Sequence, residues 1–193
     1  MRVLVACEFS GVVRDSFIAK GHDAWSCDLL DTEKPGPHIK DDVLRHLGDG
    51  WDMMIAHPPC TYLSYVGNRY WNRPGRAELR EDGMSFFMAM WDAPIPKVAV
   101  ENPYGYPCKV FRKPDQIIHP YYFGDNKMKR TCLWLRGLPP LAYLESPKPK
   151  PLFYLKTNGK PIQWTEAKHG GHERSRFSPF IAAAMAEQWG GPK

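Results

Sequence analysis

Four short apolar runs, each cut off by a polar cluster, constrain this chain more than anything else in it. Val3-Leu4-Val5-Ala6-Cys7 stops at Glu8-Phe9-Ser10-Gly11, and Asp23-Ala24-Trp25-Ser26-Cys27 stops at Asp28. Asp52-Met53-Met54-Ile55-Ala56 stops at His57-Pro58-Pro59-Cys60-Thr61, and Lys97-Val98-Ala99-Val100 stops at Glu101-Asn102-Pro103. Apolar runs of this length, bounded by turn residues, read as buried strands. Helical patterns lie between them. Val12, Val13, Phe17 and Ile18 share one face of a segment that Gly21 ends, and Asp42 to Leu47 makes a short acidic-started turn. Residues 76–91 read as a helix with Leu79, Met84, Phe87, Met88 and Trp91 inward. Alternating strands and helices predict an α/β fold, a doubly wound, mostly parallel sheet of the Rossmann-like type. Ligands on such sheets bind beyond the carboxyl ends of the strands. All four polar clusters therefore converge on one crevice.

The second half is less regular. Thr131-Cys132-Leu133-Trp134-Leu135 predicts a strand, with Trp134 in the core, and residues 139–151 hold five prolines and read as an extended connector. Residues 152–164 predict a small hairpin around Asn158-Gly159. Pro179 to Trp189 predicts a helix with Ser178 as its cap and Pro179 in its first position. The expected organisation is a core over 1–136, a connector and hairpin over 137–174, and a C-terminal helix over 175–193 that packs back on the core.

Composition excludes several classes. No run approaches the ~20 apolar residues of a membrane span, and Glu8 interrupts the first apolar run, so it reads as a strand and not as a signal peptide. Five scattered cysteines without a CxxC pair make neither a disulfide scaffold nor a zinc site, and the expected setting is reduced and cytoplasmic. The net charge of +5 is uneven: residues 1–100 carry −3 and residues 101–193 carry +8. A basic half is suited to a polyanion.

Each candidate residue is open to two roles. Cys60 follows two prolines that stiffen its turn; it is either a thiol held at the mouth of the crevice or a small buried residue. Glu101 either keeps a raised pKa through burial and donates a proton, or is paired and accepts. Phe9-Ser10-Gly11 either lets a cofactor approach the start of a helix or is a tight turn. Asp28, 17 residues beyond Gly11, stands where an acid can bind ribose hydroxyls. Asp42 is a helix cap or an adenine contact, and the cap is the simpler role. His57 orients a neighbour or is a satisfied turn residue. Residues 109–136 interleave cations with aromatics, and the loop from Tyr62 to Gly75 carries Arg69, Tyr70, Trp71 and Arg73, a pattern suited to single-stranded nucleic acid or to a lid.

Phe9-Ser10-Gly11, Asp28, Asp42, Pro58-Pro59-Cys60 and Glu101-Asn102, in this order, resemble the S-adenosylmethionine-dependent DNA cytosine-C5 methyltransferases. The resemblance covers about residues 1–105. It implies a class I methyltransferase core, S-adenosylmethionine as cofactor, and Cys60 as nucleophile with Glu101 at the cytosine N3. It places Phe9, Ser10, Gly11, Asp28, Asp42 and Pro58 around the cofactor. The family's arginine motif is loosely matched by Lys127-Met128-Lys129-Arg130, and its last helix motif by Arg174-Ser175-Arg176-Phe177-Ser178-Pro179. Arg69, Arg73, Lys127, Lys129 and Arg130 are the candidate nucleic-acid contacts.

Three departures stand out. Thr61 replaces the family's Gln after Cys60, and His57 stands where small residues are usual. Only 44 residues separate Arg130 from Ser175, too few for a large target-recognition region, as in the compact phage and prophage forms. The resemblance thus implies methylation of cytosine C5 with low sequence specificity, on duplex or single-stranded DNA. Two alternatives are an amino-group (N4/N6) DNA methyltransferase and a catalytically degenerate DNA-binding relative.

Overall fold

The computed structural model describes residues 1–70, 72–144, 147–151, 153–162 and 176–191. Seven strands form its central sheet: β1 (Arg2–Ala6), β2 (Asp23–Asp28), β3 (His38–Lys40), β4 (Met53–Ala56), β5 (Lys97–Asn102), β6 (Gln116–Ile118) and β7 (Thr131–Arg136). Their spatial order is β3-β2-β1-β4-β5-β7-β6. The first five run parallel, and β7 runs antiparallel to both β5 and β6. The protein is therefore α/β with a mostly parallel sheet, compatible with a Rossmann-like fold. The order 3-2-1-4-5 is that of dinucleotide-binding sheets, whose switch point lies between β1 and β4.

The inner strands are apolar throughout because both faces of the sheet are covered. Along β1, Val3 and Val5 face one side, while Leu4 and Ala6 face the other. On the first side, Val3, Val5, Met53, Ile55 and Ala99 pack under α1 (Val12–Ala19) through Val13 and Phe17. The C-terminal helix packs on the same side through Ile181, Met185 and Trp189. On the other side, Leu4, Met54 and Val98 pack under α2 (Arg76–Trp91) through Met84, Phe87 and Met90. Phe87 is fully buried and meets Trp134 edge-on at 5.1 Å. Truncating such a ring costs about 3–5 kcal/mol.

Helix α2 has the bounds its pattern predicts, but Leu79 does not belong to its buried face; it is 41% exposed. Arg80 is buried instead, because its guanidinium donates to Tyr62 O and Asn68 Oδ1 and fixes the 61–70 loop. A further short helix, α3 (Pro107–Val110), follows β5. The C-terminal helix, α4 (Pro179–Gly190), begins at Pro179 as expected. Ser178 occupies the cap position, yet its hydroxyl donates to Asp125 Oδ2 at 3.0 Å and does not cap the helix. The hairpin around Asn158-Gly159 is present as β8 (Phe153–Tyr154) paired with β9 (Pro161–Ile162). Its outer residues, 152 and 163–164, lie outside the described residues, as do Arg174 and Ser175. Among the described residues no helix is long and apolar enough to cross a membrane.

Candidate active site

Parallel pairing brings the ends of β1, β2, β4 and β5 to one edge of the sheet. Ala56 pairs with Val100, so the next residues along each strand, His57 and Glu101, are neighbours. Glu101 is not beyond β5, as the sequence pattern places it, but inside it, opposite Leu133 of β7. His57 Nδ1 stands 3.3 Å from Glu101 Oε2, and both side chains are close to nine-tenths buried. The nitrogen facing the carboxylate is thus the one that carries a proton. Burial pushes the Glu101 pKa up, but the His57 hydrogen bond and the charges of Lys129 and His57 outweigh it, and the net shift is downward. Glu101 is the paired carboxylate of the two roles open to it.

Asn102 is 1% exposed and donates from Nδ2 to Pro58 O at 2.9 Å. This bond ties the Pro-Pro turn to β5. The turn ends at Cys60, which is exposed and reduced, and whose carbonyl accepts from Leu63 N and Ser64 N. Cys60 and Glu101 thus belong to one tied unit at one edge of the sheet. Three other thiols are pushed up by burial: Cys27 to about 11, Cys132 to about 12, and Cys7 further still. A thiol that resists ionisation is a poor nucleophile. Cys60 is the cysteine exposed to solvent.

The β1 edge is built differently. Glu8 is buried and caps α1: Oε1 accepts from Val13 N at 2.7 Å and from Ser10 Oγ at 3.1 Å, and Oε2 accepts from Arg14 N at 3.2 Å. Gly11 has φ 71, and a Cβ there would stand 2.5 Å from the Arg14 guanidinium. Arg14 is fully buried and donates to Ser26, Thr32, Lys34 O and Pro35 O. Asp28 Oδ1 accepts from Leu30 N, and Asp42 Oδ1 accepts from Leu44 N as the cap of its short turn. The charges of Asp28 and Asp42 both reach Cys7, so the structure gathers them at the end of β1. Cys7 itself has φ 57, a strained conformation for a side-chain-bearing residue and a feature no sequence pattern reveals.

A crevice of about 20 Å³ opens at the switch point, between Cys7–Ser10 and His57, and Arg176 and Phe177 close it. The Phe177 ring lies 4.6 Å from the His57 ring. Arg176 is held by Glu33 at 2.7 Å. A larger cavity of about 210 Å³ adjoins it, sharing Arg176 and Phe177 and adding Lys127, Lys129 and Thr131. Around the Cys60 loop, Arg73 stacks over Tyr70 at 4.4 Å and Arg130 over Tyr104 at 5.5 Å. Tyr65, Tyr70 and Tyr104 are exposed. The Arg69 side chain and Trp71 lie outside the described residues. Within residues 109–136 the picture is mixed. Arg112 pairs with Asp115, Arg136 donates to Ala93 O and Ile95 O, and Tyr121 and Trp134 are buried, so these four serve the fold.

No model of a known family matches the chain, and no curated protein sequence matches it.

Proposed function

We propose that the protein is an S-adenosylmethionine-dependent DNA methyltransferase of the cytosine-C5 type, with a class I methyltransferase core and low sequence specificity. One observation carries the reading. The Asn102–Pro58 bond and the His57–Glu101 contact hold an exposed thiol and a buried carboxylate on neighbouring strand ends. Cytosine-C5 transfer needs this pair. Thiolate addition at C6 makes C5 nucleophilic, and a proton at N3 takes up the charge that develops on the ring. Cys60 supplies the sulfur and Glu101 the contact at N3. With the methyl group on C5, the C5 proton passes to water, its electron pair re-forms the C5–C6 double bond and expels the Cys60 thiolate from C6, and the ring is restored.

S-adenosylmethionine, when bound, supplies the electrophilic methyl group. The donor set fits it at the switch point. Asp28 keeps one carboxylate oxygen beyond its bond to Leu30, which suits ribose hydroxyls, and Leu29 and Leu30 expose apolar surface beside it. Phe9, Ser10, Gly11, Asp42 and Pro58 complete the surround. Ligands of this size need several hundred Å³. Binding therefore requires Arg176 and Phe177 to leave the crevice they close.

The target ring must leave its stack to reach Cys60. The exposed tyrosines and their arginine partners offer stacking surfaces beside it. Lys127 and Lys129 in the larger cavity, with Arg73, Arg130 and Arg69 nearby in the chain, suit the flanking phosphates.

The test is covalent capture. Wild type with S-adenosylmethionine is expected to form a denaturation-resistant adduct with a 5-fluorocytosine oligonucleotide, and Cys60→Ala to form none. Nucleosides from DNA of expressing cells should contain 5-methylcytosine. Methylated amino groups that persist in Cys60→Ala would establish amino transfer instead. DNA binding with no response to the cofactor would establish a degenerate binding protein.

A further inference from the structure

The proposed chemistry puts a proton on the cytosine N3, yet the carboxylate that meets N3 lies 3.3 Å from His57 Nδ1 as a hydrogen-bond acceptor, and the His57 bond and the Lys129 charge hold its pKa down against its burial. A proton must reach it from a neighbouring acid. The acid–base side chain hydrogen-bonded to Glu101 is His57, the residue that departs from the small residues usual before the Pro-Pro turn. Glu101 holds its ring at Nδ1, and in the closed crevice the Phe177 ring packs on it at 4.6 Å. Its other nitrogen, Nε2, is buried and has no hydrogen-bond partner among the described residues. His57 also lines the switch-point crevice. The imidazole therefore lies between the proposed cofactor crevice and the proposed cytosine contact.

We propose that His57 is the positioning residue and proton relay of Glu101, passing a proton from its Nδ1 to Glu101 Oε2 as the cytosine adduct forms. This rests on the cytosine-C5 reading. Imidazolium His57 gives up the Nδ1 proton and keeps the one on Nε2, so the ring ends neutral. Glu101 becomes a neutral acid and donates that proton to N3 while the Cys60 sulfur bonds C6. When the C6–S bond breaks, the proton returns by the same path, and the pair is restored with no net proton consumed. The charged groups facing the pair are Lys129 before β7, Glu8 after β1, and Arg176 beside Phe177. Lys129 is the cation that favours an ionised Glu101 between turnovers, Arg176 is held by Glu33, and Glu8 is committed to capping α1.

His57→Asn keeps an N–H near the Nδ1 position but cannot shuttle a proton. Methyl transfer is read as a single-turnover rate from pH 5.5 to 8.5 in wild type and variant. Taking their ratio cancels the ionisation of Cys60, which is common to both. The variant is expected to be about 100-fold slower at pH 8. The ratio should shrink as the pH falls, because Glu101 then takes its proton from water. A ratio that stays constant across the range marks a merely structural histidine and overturns the relay. Two NMR readouts do not depend on turnover. The carboxyl carbon of Glu101 should titrate at higher pH in His57→Asn than in wild type. In wild type, nitrogen spectra of His57 should show a proton on Nδ1 at neutral pH. An unmoved Glu101 midpoint, or a bare Nδ1, overturns the relay even if the variant folds poorly. If both NMR readouts appear but wild type neither captures 5-fluorocytosine nor methylates cytosine, the cytosine reading falls, and the relay falls with it.

Discussion

The two flanks of the crevice handle their polar groups in opposite ways. On the β1–β2 flank, the polar groups that gather have local partners: Glu8 caps α1, Ser10 bonds Glu8, Gly11 makes room for Arg14, and Arg14 binds five groups around it. On the β4–β5 flank the pairing is incomplete. Among the described residues His57 Nε2 and Asn102 Oδ1 are buried without partners, and Cys60 faces solvent. Native proteins satisfy nearly all buried polar atoms, and while His22, Arg76 and His119 each keep one unsatisfied atom elsewhere, this flank gathers two of them beside an exposed thiol. The lesson is that a polar residue at a strand end is weak information by itself. Unused hydrogen-bonding capacity at that end is stronger.

If this contrast holds, substitutions on the β4–β5 flank should cost far more in activity than in stability. The largest effect should come from Cys60→Ala. Removing a nucleophile costs at least about 10⁴-fold in rate. An exposed side chain costs less than about 0.5 kcal/mol in stability. Adduct capture and urea unfolding measure the two. A loss of several kcal/mol would mean that Cys60 is a packing residue, and the contrast would break.

Substitution within the buried Arg14 network of the β1–β2 flank should do the reverse. Arg14→Met removes a fully buried guanidinium and all its hydrogen bonds, while Ser26 keeps His38 and Thr32 keeps Lys34 O. Losing these bonds should cost about 1–3 kcal/mol of unfolding free energy. Cytosine capture by the fraction that remains folded should survive. Urea melts and active-site counting separate the two quantities. On the other flank, Glu101→Gln is expected to slow transfer by about 10²–10³-fold. Its stability effect has a pH signature. The Glu101 pKa is held below the usual carboxylate value, so its contribution to stability is complete above about pH 5 and lost as the pH falls through the lower folded value. The melting temperatures of wild type and Glu101→Gln should therefore differ at pH 7 and converge in acid. Curves that run parallel at all pH values would mean the pair carries no such linkage.

The same contrast explains what the sequence could tell. Strands such as Val3–Ala6 and Val98–Val100 announce themselves because both faces are covered, which leaves uninterrupted apolar runs. β3 and β6 are three residues each, too short to display any period. The Arg14 network is invisible because its partners come from positions 26 to 35 and depend on how that loop folds back. The His57–Glu101 contact was within reach. Aligning Met53–Ala56 with Lys97–Val100 as neighbouring parallel strands puts His57 beside Glu101 in the next register step. What periodicity cannot supply is the direction of the Glu101 shift, which depends also on Lys129 arriving from a segment 28 residues further on.

The smallest expected effect tests the contrast most closely. Asp42 is both a cap and a candidate cofactor contact, and Asp42→Asn separates the roles. Asparagine caps helices as well as aspartate does, so the bond to Leu44 N survives and stability should stay within about 0.5 kcal/mol. The charge is lost, and with it any charge-assisted bond to the cofactor. Because Asp42 follows the outer strand β3, one strand further from the switch point than Asp28 at the end of β2, cofactor affinity by calorimetry should fall less than about threefold. A charge-assisted bond is worth about 1.5–3 kcal/mol, so Asp28→Asn should cost tenfold or more. If Asp42→Asn weakened binding as much as Asp28→Asn, the β1–β2 flank would be doing more than holding the fold, and the division between the two flanks would have to be redrawn through Asp42.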